Sequence, residues 1–257
     1  MNVDDSRKPI DPVGDALAAA AGQLTQHSAA NRSIARMAET RALAPRQLDE
    51  RRLIHRDDSA RPQADAFREI RTRLLALGGE QNFVTMVAPI SSGSGGSFVA
   101  RNLAAAFAFD EAKTALLIDC NPRHAAQHKA LGTDAGPGLI DYLDRPAIGI
   151  EPIIYRTGIP RLRLIPAGKP REISGEYFSS FRMRAVLDSL RCRYRDRYLF
   201  LDGPAIKGSP DARILSELAD FVVLVAGYGR DTPTAIAQAA AVFDPNRFAG
   251  VVFNQLP

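Results

Sequence analysis

The stretch "FVTMVAPISSGSGGSFVARNLAAAFA", residues 83–108, decides the fold. It opens with an apolar run, Phe83-Val84-Thr85-Met86-Val87, passes through a Ser/Gly loop and closes on a helical pattern. A loop held between a buried strand and an apolar helix can wrap a phosphate with its backbone N–H groups. The positive end of the helix adds to that pull. The residues placed for this are Ser92, Gly93, Ser94, Gly95, Gly96, Ser97 and Phe98, with the Ser97 hydroxyl placed to ligate Mg²⁺. The rival reading is a flexible connector, which rarely sits between two apolar elements. Phosphate loops normally carry a lysine just before the final Ser/Thr. Here Gly96 stands in that place, and no lysine occurs between Lys8 and Lys113.

Working outward, strands and helices alternate. The pattern predicts strands at 83–88, 114–119, 162–166, 198–202, 221–226 and 248–253. It predicts helices at 97–109, 183–194, 212–218 and 233–243, with a short one starting at 138. Before them, "ADAFREIRTRLLAL" puts Phe67, Ile70, Leu74 and Leu75 on one face of a helix. Near-continuous apolar strands mean a sheet covered on both faces. The fold class is therefore α/β: a mostly parallel central sheet with helices on both faces, in a three-layer α/β/α arrangement. Ligands in such sheets sit at the carboxyl ends of the strands. Two predicted strands end there in a carboxylate, Asp119 in "ALLIDCNPR" and Asp202 in "YLFLDGPA". A carboxylate at a buried strand tip is costly unless something uses it. Mg²⁺, a metal-bound water or an attacking hydroxyl would use it; capping of the next loop is the alternative.

Composition narrows the rest. The chain has 257 residues, 46% apolar and 7% aromatic, with a net charge of +4. The excess is arginine, 28 against 5 lysines, concentrated before residue 73 and in 182–197. These stretches read as amphipathic helices without interleaved aromatics, so nucleic acid is not expected. Cys120 and Cys192 lack metal spacing and fit reduced thiols, with packing as the reading for Cys120. No hydrophobic signal core or membrane-length run occurs, so any membrane role is expected through a partner. Residues 1–60 are polar and poor in large apolar residues. They read as a disordered or weakly helical segment, with a helix somewhere within 13–44 stopping before Pro45 and an extended linker through residue 62. Residues 61–257 form the globular domain.

The ordered motifs resemble the bacterial tyrosine kinases of capsule and exopolysaccharide synthesis (BY-kinases), deviant-Walker P-loop ATPases related in fold to partitioning ATPases. "ADAFREIRTRLL" resembles their E-x-x-R-x-x-R helix, with Asp65 for the Glu and Arg68 and Arg71 kept. The resemblance implies that this helix mediates self-association. Residues 88–108 resemble Walker A. "ALLIDCNPRHAAQHKALG" followed by "GLIDYL" resembles the second Walker motif D-x-D-x-R. "LIPAGKPREISGEYFSSFRMRAVLDSL" precedes a Walker B-like "YLFLDGPAIKGSPDARIL". In "GVVFNQL", Asn254 matches an Asn that lies by the nucleotide base. The match runs from about 64 to 255. It implies ATP or ADP with Mg²⁺ held by Ser97, Asp119 and Asp202, and a partner in a membrane chain-length or co-polymerase protein. It also implies a cytoplasmic location at the inner face of the cell membrane.

The departures bear on activity. Gly96 removes the phosphate lysine, which neutralises charge in the transition state. Arg101, one turn on, is a possible substitute expected to point away from the loop. Asn121 replaces the second acidic residue of D-x-D. The last tyrosine is Tyr228, so the family's C-terminal tyrosine cluster is expected to be absent. The resulting expectation is a regulator or scaffold with a degenerate ATP site and doubtful roles for Asp119 and Asp202 in catalysis. An active tyrosine autokinase and a partitioning-type ATPase stay open. Ser91 stands where the latter carry an extra lysine.

Overall fold

A computed structural model describes residues 42–55, 61–79, 81–134, 136–170 and 174–254. The unstructured start expected at the N-terminus, and most of the helix expected within 13–44, lie outside the described residues. The order of elements begins with helices α1 (Pro45–Glu50) and α2 (Arg61–Gly78). Strand β1 (Val84–Pro89), helix α3 (Gly96–Ala108) and strand β2 (Thr114–Asp119) follow. Short helices α4 (Gln127–Leu131) and α5 (Leu139–Asp144) come next, then strands β3 (Tyr155–Arg156) and β4 (Leu162–Ile165). The chain continues through α6 (Ser174–Phe178), α7 (Phe181–Arg193), β5 (Arg197–Asp202) and α8 (Asp211–Ser216). It closes with β6 (Phe221–Gly227), α9 (Pro233–Ala240) and β7 (Phe248–Asn254).

The sheet runs β3-β4-β2-β5-β1-β6-β7. Every pair is parallel except β3 with β4. All six residues of β1, β2 and β5 are buried, as strands covered on both faces must be. Alternate side chains feed two cores. Val87, Leu117 and Phe200 point to the face covered by α2 and α3, while Met86, Ile118 and Leu201 point to the face covered by α5, α7, α8 and α9. Helix α3 is sandwiched between the sheet and α2, so it is apolar nearly all round. Its alanines at 100, 104, 105, 106 and 108 are fully buried. Their small size lets α3 lie close on the sheet, which sets its N-terminus over the tips of β1, β2 and β5.

Residues 45–55 are not the extended linker expected from the sequence. Pro45 opens helix α1. Proline suits a first helical position, where its missing N–H would have no partner anyway. Leu53, Ile54 and His55 then bury against the domain. Asn102, fully buried on α3, binds this strap from both sides. Its Oδ1 accepts from the Ile54 N–H at 2.8 Å, and its Nδ2 donates to the Arg52 carbonyl at 3.0 Å. Arg51 donates to the Leu131 carbonyl at 2.6 Å. Among the described residues no helix is long and apolar enough to cross a membrane.

Candidate functional site

The glycine loop joins β1 to α3. Gly95 is the N-cap, in the left-handed region at φ 88°, and no side chain caps the helix. An uncapped helix start presents first-turn N–H groups in the arrangement that holds anions. A Cβ at Gly95 would collide with the Asn254 amide, so glycine is required by space as well as by φ. Neighbouring loops clamp the turn. Ser94 Oγ donates to Asp231 Oδ2 at 2.7 Å, and Asn254 Nδ2 donates to the Ser94 carbonyl at 3.0 Å. Arg230 donates to the Ser92 carbonyl at 2.8 Å. The loop is thus a held structure, not a flexible connector.

Gly96 sits tightly against Pro89, the last residue of β1. A Cβ at position 96 would lie 2.5 Å from Pro89 Cδ and 2.8 Å from Cγ. A proline ring is fixed to the backbone and cannot swing aside. In this loop the place of the phosphate lysine's first carbon is taken by Pro89.

The two strand-tip carboxylates come together as the sequence implied. Asp119 and Asp202 are direct partners in the β2–β5 register. Their side chains therefore share a face and a level, about 5 Å apart by strand spacing. Both are buried beneath the start of α3. Asp119 is held by three backbone donors: the N–H of Asn121 at 3.1 Å to Oδ1, and those of Ala126 and Gln127 at 3.3 Å to Oδ2. Asp202 Oδ2 accepts from Gln127 Nε2 at 2.6 Å, while the same amide donates to the Ser97 carbonyl at 2.9 Å. Burial pushes the Asp119 carboxyl up to about 7, reinforced by the neighbouring Asp202. Burial likewise raises Asp202 to about 6, against the opposing pull of Gln127, Ser97 and Arg101. Asp202 Oδ1 and Gln127 Oε1 are buried acceptors without a hydrogen-bond partner. Unsatisfied buried oxygens are what a hard cation or a hydroxyl donor would complete.

Beside the carboxylates lies a cavity of about 380 Å³. Its lining comes from the glycine loop with Pro89, from residues 120–124 directly after Asp119, and from residues 204, 205 and 207–209 after Asp202, with Asp211. Of the loop residues expected to bind nucleotide, only Ser94 is turned away; it is fully buried on Asp231. Asn254 lines a second cavity behind the loop, together with Arg52, Phe98 and Arg101. Arg101 stacks over the Phe98 ring at 5.3 Å and does not line the front cavity, as expected from its place on the helix. Its guanidinium is held below its ordinary value by burial, an effect only partly offset by Asp202. Asp65, Arg68 and Arg71 stand apart, on α2. Asp65 and Arg68 pair with each other at 2.6 Å, and Arg71 donates to the Ala106 carbonyl at 2.9 Å. Cys120 and Cys192 are both free thiols, and Cys120 packs in the core beside the cavity.

Three residues of this site carry weight that the sequence reading did not give them. Gln127 bridges Asp202 to the loop; it lies inside the quoted second Walker segment, where no sequence signal singles it out. Pro89 falls just past the strand expected at 83–88, inside the quoted loop stretch, with no role given to it. Lys207 lies inside the quoted Walker B segment, with no role read from the sequence, and the fold brings it to the same cavity as the loop glycines.

No family model matches the chain. It is 32% identical over 195 residues to the tyrosine-protein kinase Wzc of Salmonella typhi, a match covering 75% of this chain and 27% of that protein. The chain thus spans about a quarter of Wzc's length. It is 27% identical over 202 residues to the tyrosine-protein kinase CpsD of Streptococcus agalactiae, covering 77% of this chain and 85% of that protein. In structure it is similar to the kinase domain of the Escherichia coli tyrosine kinase ETK. The TM-score is 0.69 at 22% identity, over 84% of this chain and 95% of that one, a likeness that speaks for the fold. Ordered motifs, fold and relatives agree, and over about three quarters of its length the chain is similar to the bacterial tyrosine kinases.

Proposed function

We propose that the chain is a nucleotide-binding regulator or scaffold of exopolysaccharide or capsule assembly, with little or no kinase activity of its own. It works in the cytoplasm beside the membrane, bound to a chain-length or co-polymerase protein, and self-associates through α2. The observation that carries the reading is the contact of Pro89 with Gly96. It supports a loop that keeps its anion-binding backbone while excluding the lysine that phosphoryl transfer relies on.

ATP and Mg²⁺ fit the residues present. The loop N–H groups would hold the phosphates. Ser97, Asp119 and Asp202 would hold the metal together with phosphate oxygens and water, as Mg²⁺ sites commonly do. Bound Mg–ATP would supply a phosphoryl group primed for transfer. The chain's own part is to orient it through Gly95 and Ser97, to fix Asp202 through Gln127, and to accept a proton at Asp119 or Asp202. Asn121, lining the cavity where the family motif has its second Asp, offers no further carboxylate.

The test is purified protein with Mg²⁺ and labelled ATP, alone and with the cytoplasmic segment of a candidate membrane partner. Nucleotide binding without phosphotyrosine is expected in both arms. Robust phosphotyrosine in either arm overturns the reading.

A further inference from the structure

We infer that Lys207, on the loop after β5, is the cation that meets the nucleotide's phosphates in place of the absent loop lysine. The inference rests on the nucleotide-binding reading above and adds to it a residue, a charge and a direction of approach. A polyphosphate entering this cavity brings several negative charges, which the backbone dipoles of the glycine loop favour and a positively charged side chain on the same cavity would favour further.

Position 96 cannot supply the charge, because Pro89 fills the space of its first side-chain carbon. Arg101 lines the cavity behind the loop instead of the one in front. Arg123 lines the front cavity but already has an interaction of its own. Lys207 lines the same cavity as Gly93, Gly95, Gly96 and Ser97 and is exposed. Its side chain has no ion pair or hydrogen bond among the described residues.

The backbone places it deliberately. The Lys207 N–H donates to the Ile90 carbonyl and the Ile206 N–H to the Pro89 carbonyl, each at 3.0 Å. The Gly203 N–H donates to the Val87 carbonyl at 2.9 Å. The backbone of Lys207 is therefore tied to the entry of the glycine loop itself. A flexible four-carbon stem with a compact ammonium suits a point contact to phosphate. The same Pro89 that closes position 96 accepts one of the bonds that brings Lys207 into place.

The test measures binding, not turnover. Fluorescent mant-ATP is titrated into the full chain with Mg²⁺ and displaced by ATP, ADP and AMP, for the natural protein and for Lys207→Ala, Lys207→Arg and Lys113→Ala. Lys113 pairs with Asp110 outside the cavity and serves as the control. Lys207→Ala is expected to weaken ATP about ten-fold or more, as loss of a charge-assisted contact does. ADP should weaken less and AMP little, Lys207→Arg should keep most of the affinity, and Lys113→Ala should match the natural protein. The melting midpoint of the ligand-free Lys207→Ala protein should stay unchanged, since the side chain is exposed. If the natural protein binds ATP and Lys207→Ala binds it equally well, Lys207 is not the cation and the nucleotide reading stands. Equal loss of ATP, ADP and AMP together with a lowered midpoint also overturns the assignment. If the natural protein binds no nucleotide, this inference and the proposed function fall together.

Discussion

At the residue scale the informative pair is Pro89 and Gly96, because the missing lysine is a packing fact as much as a sequence fact. Restoring it alone should fail. Gly96→Lys forces a Cβ to 2.5 Å from the Pro89 ring, and overpacking of this kind costs about 1–3 kcal/mol. The expected result is a lower midpoint in urea and no gain of kinase activity. Pro89→Gly together with Gly96→Lys should recover most of that loss, a positive coupling readable as a double-mutant cycle. A Gly96→Lys protein as stable as the natural one would show that the ring yields. The second pair is Asp119 and Asp202. In the unfolded chain both ionise near pH 4, whereas in the fold burial holds them protonated up to about 7 and about 6. Between these values the native state binds more protons than the unfolded state, so stability falls as pH rises from about 4 to about 7. The slope approaches about 1.4 kcal/mol per pH unit for each carboxyl that titrates fully differently. Protons are shared across such a pair, so the contrast is best read against a protein carrying Asp119→Asn and Asp202→Asn. That variant should gain stability on the natural protein as pH rises through the window, and parallel profiles would contradict the pairing.

At the element scale, what the sequence revealed and what it hid follow a physical rule. The long parallel strands and α3 were legible because burial on both faces writes a continuous apolar run, and the tips Asp119 and Asp202 stood out as the charged residues ending such runs. Helices α1, α4 and α6 were missed because five or six residues carry too little periodicity to register. The buried strap at 45–55 was hidden for a related reason. Only Leu53, Ile54 and His55 dock, and the polar partner that satisfies their backbone, Asn102, lies in a different element. No local pattern announces a contact made across about fifty residues. This gives a prediction about Asn102. Asn102→Ala removes the acceptor of the Ile54 N–H and the donor to the Arg52 carbonyl, at about 1–3 kcal/mol for each buried group left unpaired. A lower denaturation midpoint is expected, with faster proteolysis within residues 45–55 than elsewhere. Unchanged cleavage there would mean that apolar contacts alone hold the strap.

At the scale of the whole molecule, the question is how one copy meets another. Helix α2 and the two sheet edges are the surfaces to weigh. The β3 edge is two residues long, which gives another strand little to pair with. The β7 edge is seven residues long and exposes Phe253 at 58%, so it is a rival route to association. On α2, three residues of the family-like motif divide by their contacts. Arg71 is spent on the Ala106 carbonyl and ties α2 to α3 within the same chain. Asp65 and Arg68 form an exposed pair, 56% and 42% accessible, worth about 0–1 kcal/mol to the fold. The roles should separate on measurement. Arg68→Glu is expected to lower the mass seen by light scattering after gel filtration while leaving the melting midpoint unchanged. Arg71→Ala is expected to lower the midpoint, because it removes a charged hydrogen bond between helices worth about 1.5–3 kcal/mol. If Phe253→Lys disperses the assembly and Arg68→Glu does not, association runs through the β7 edge. A natural protein that stays monomeric at every concentration removes self-association from the proposed function altogether.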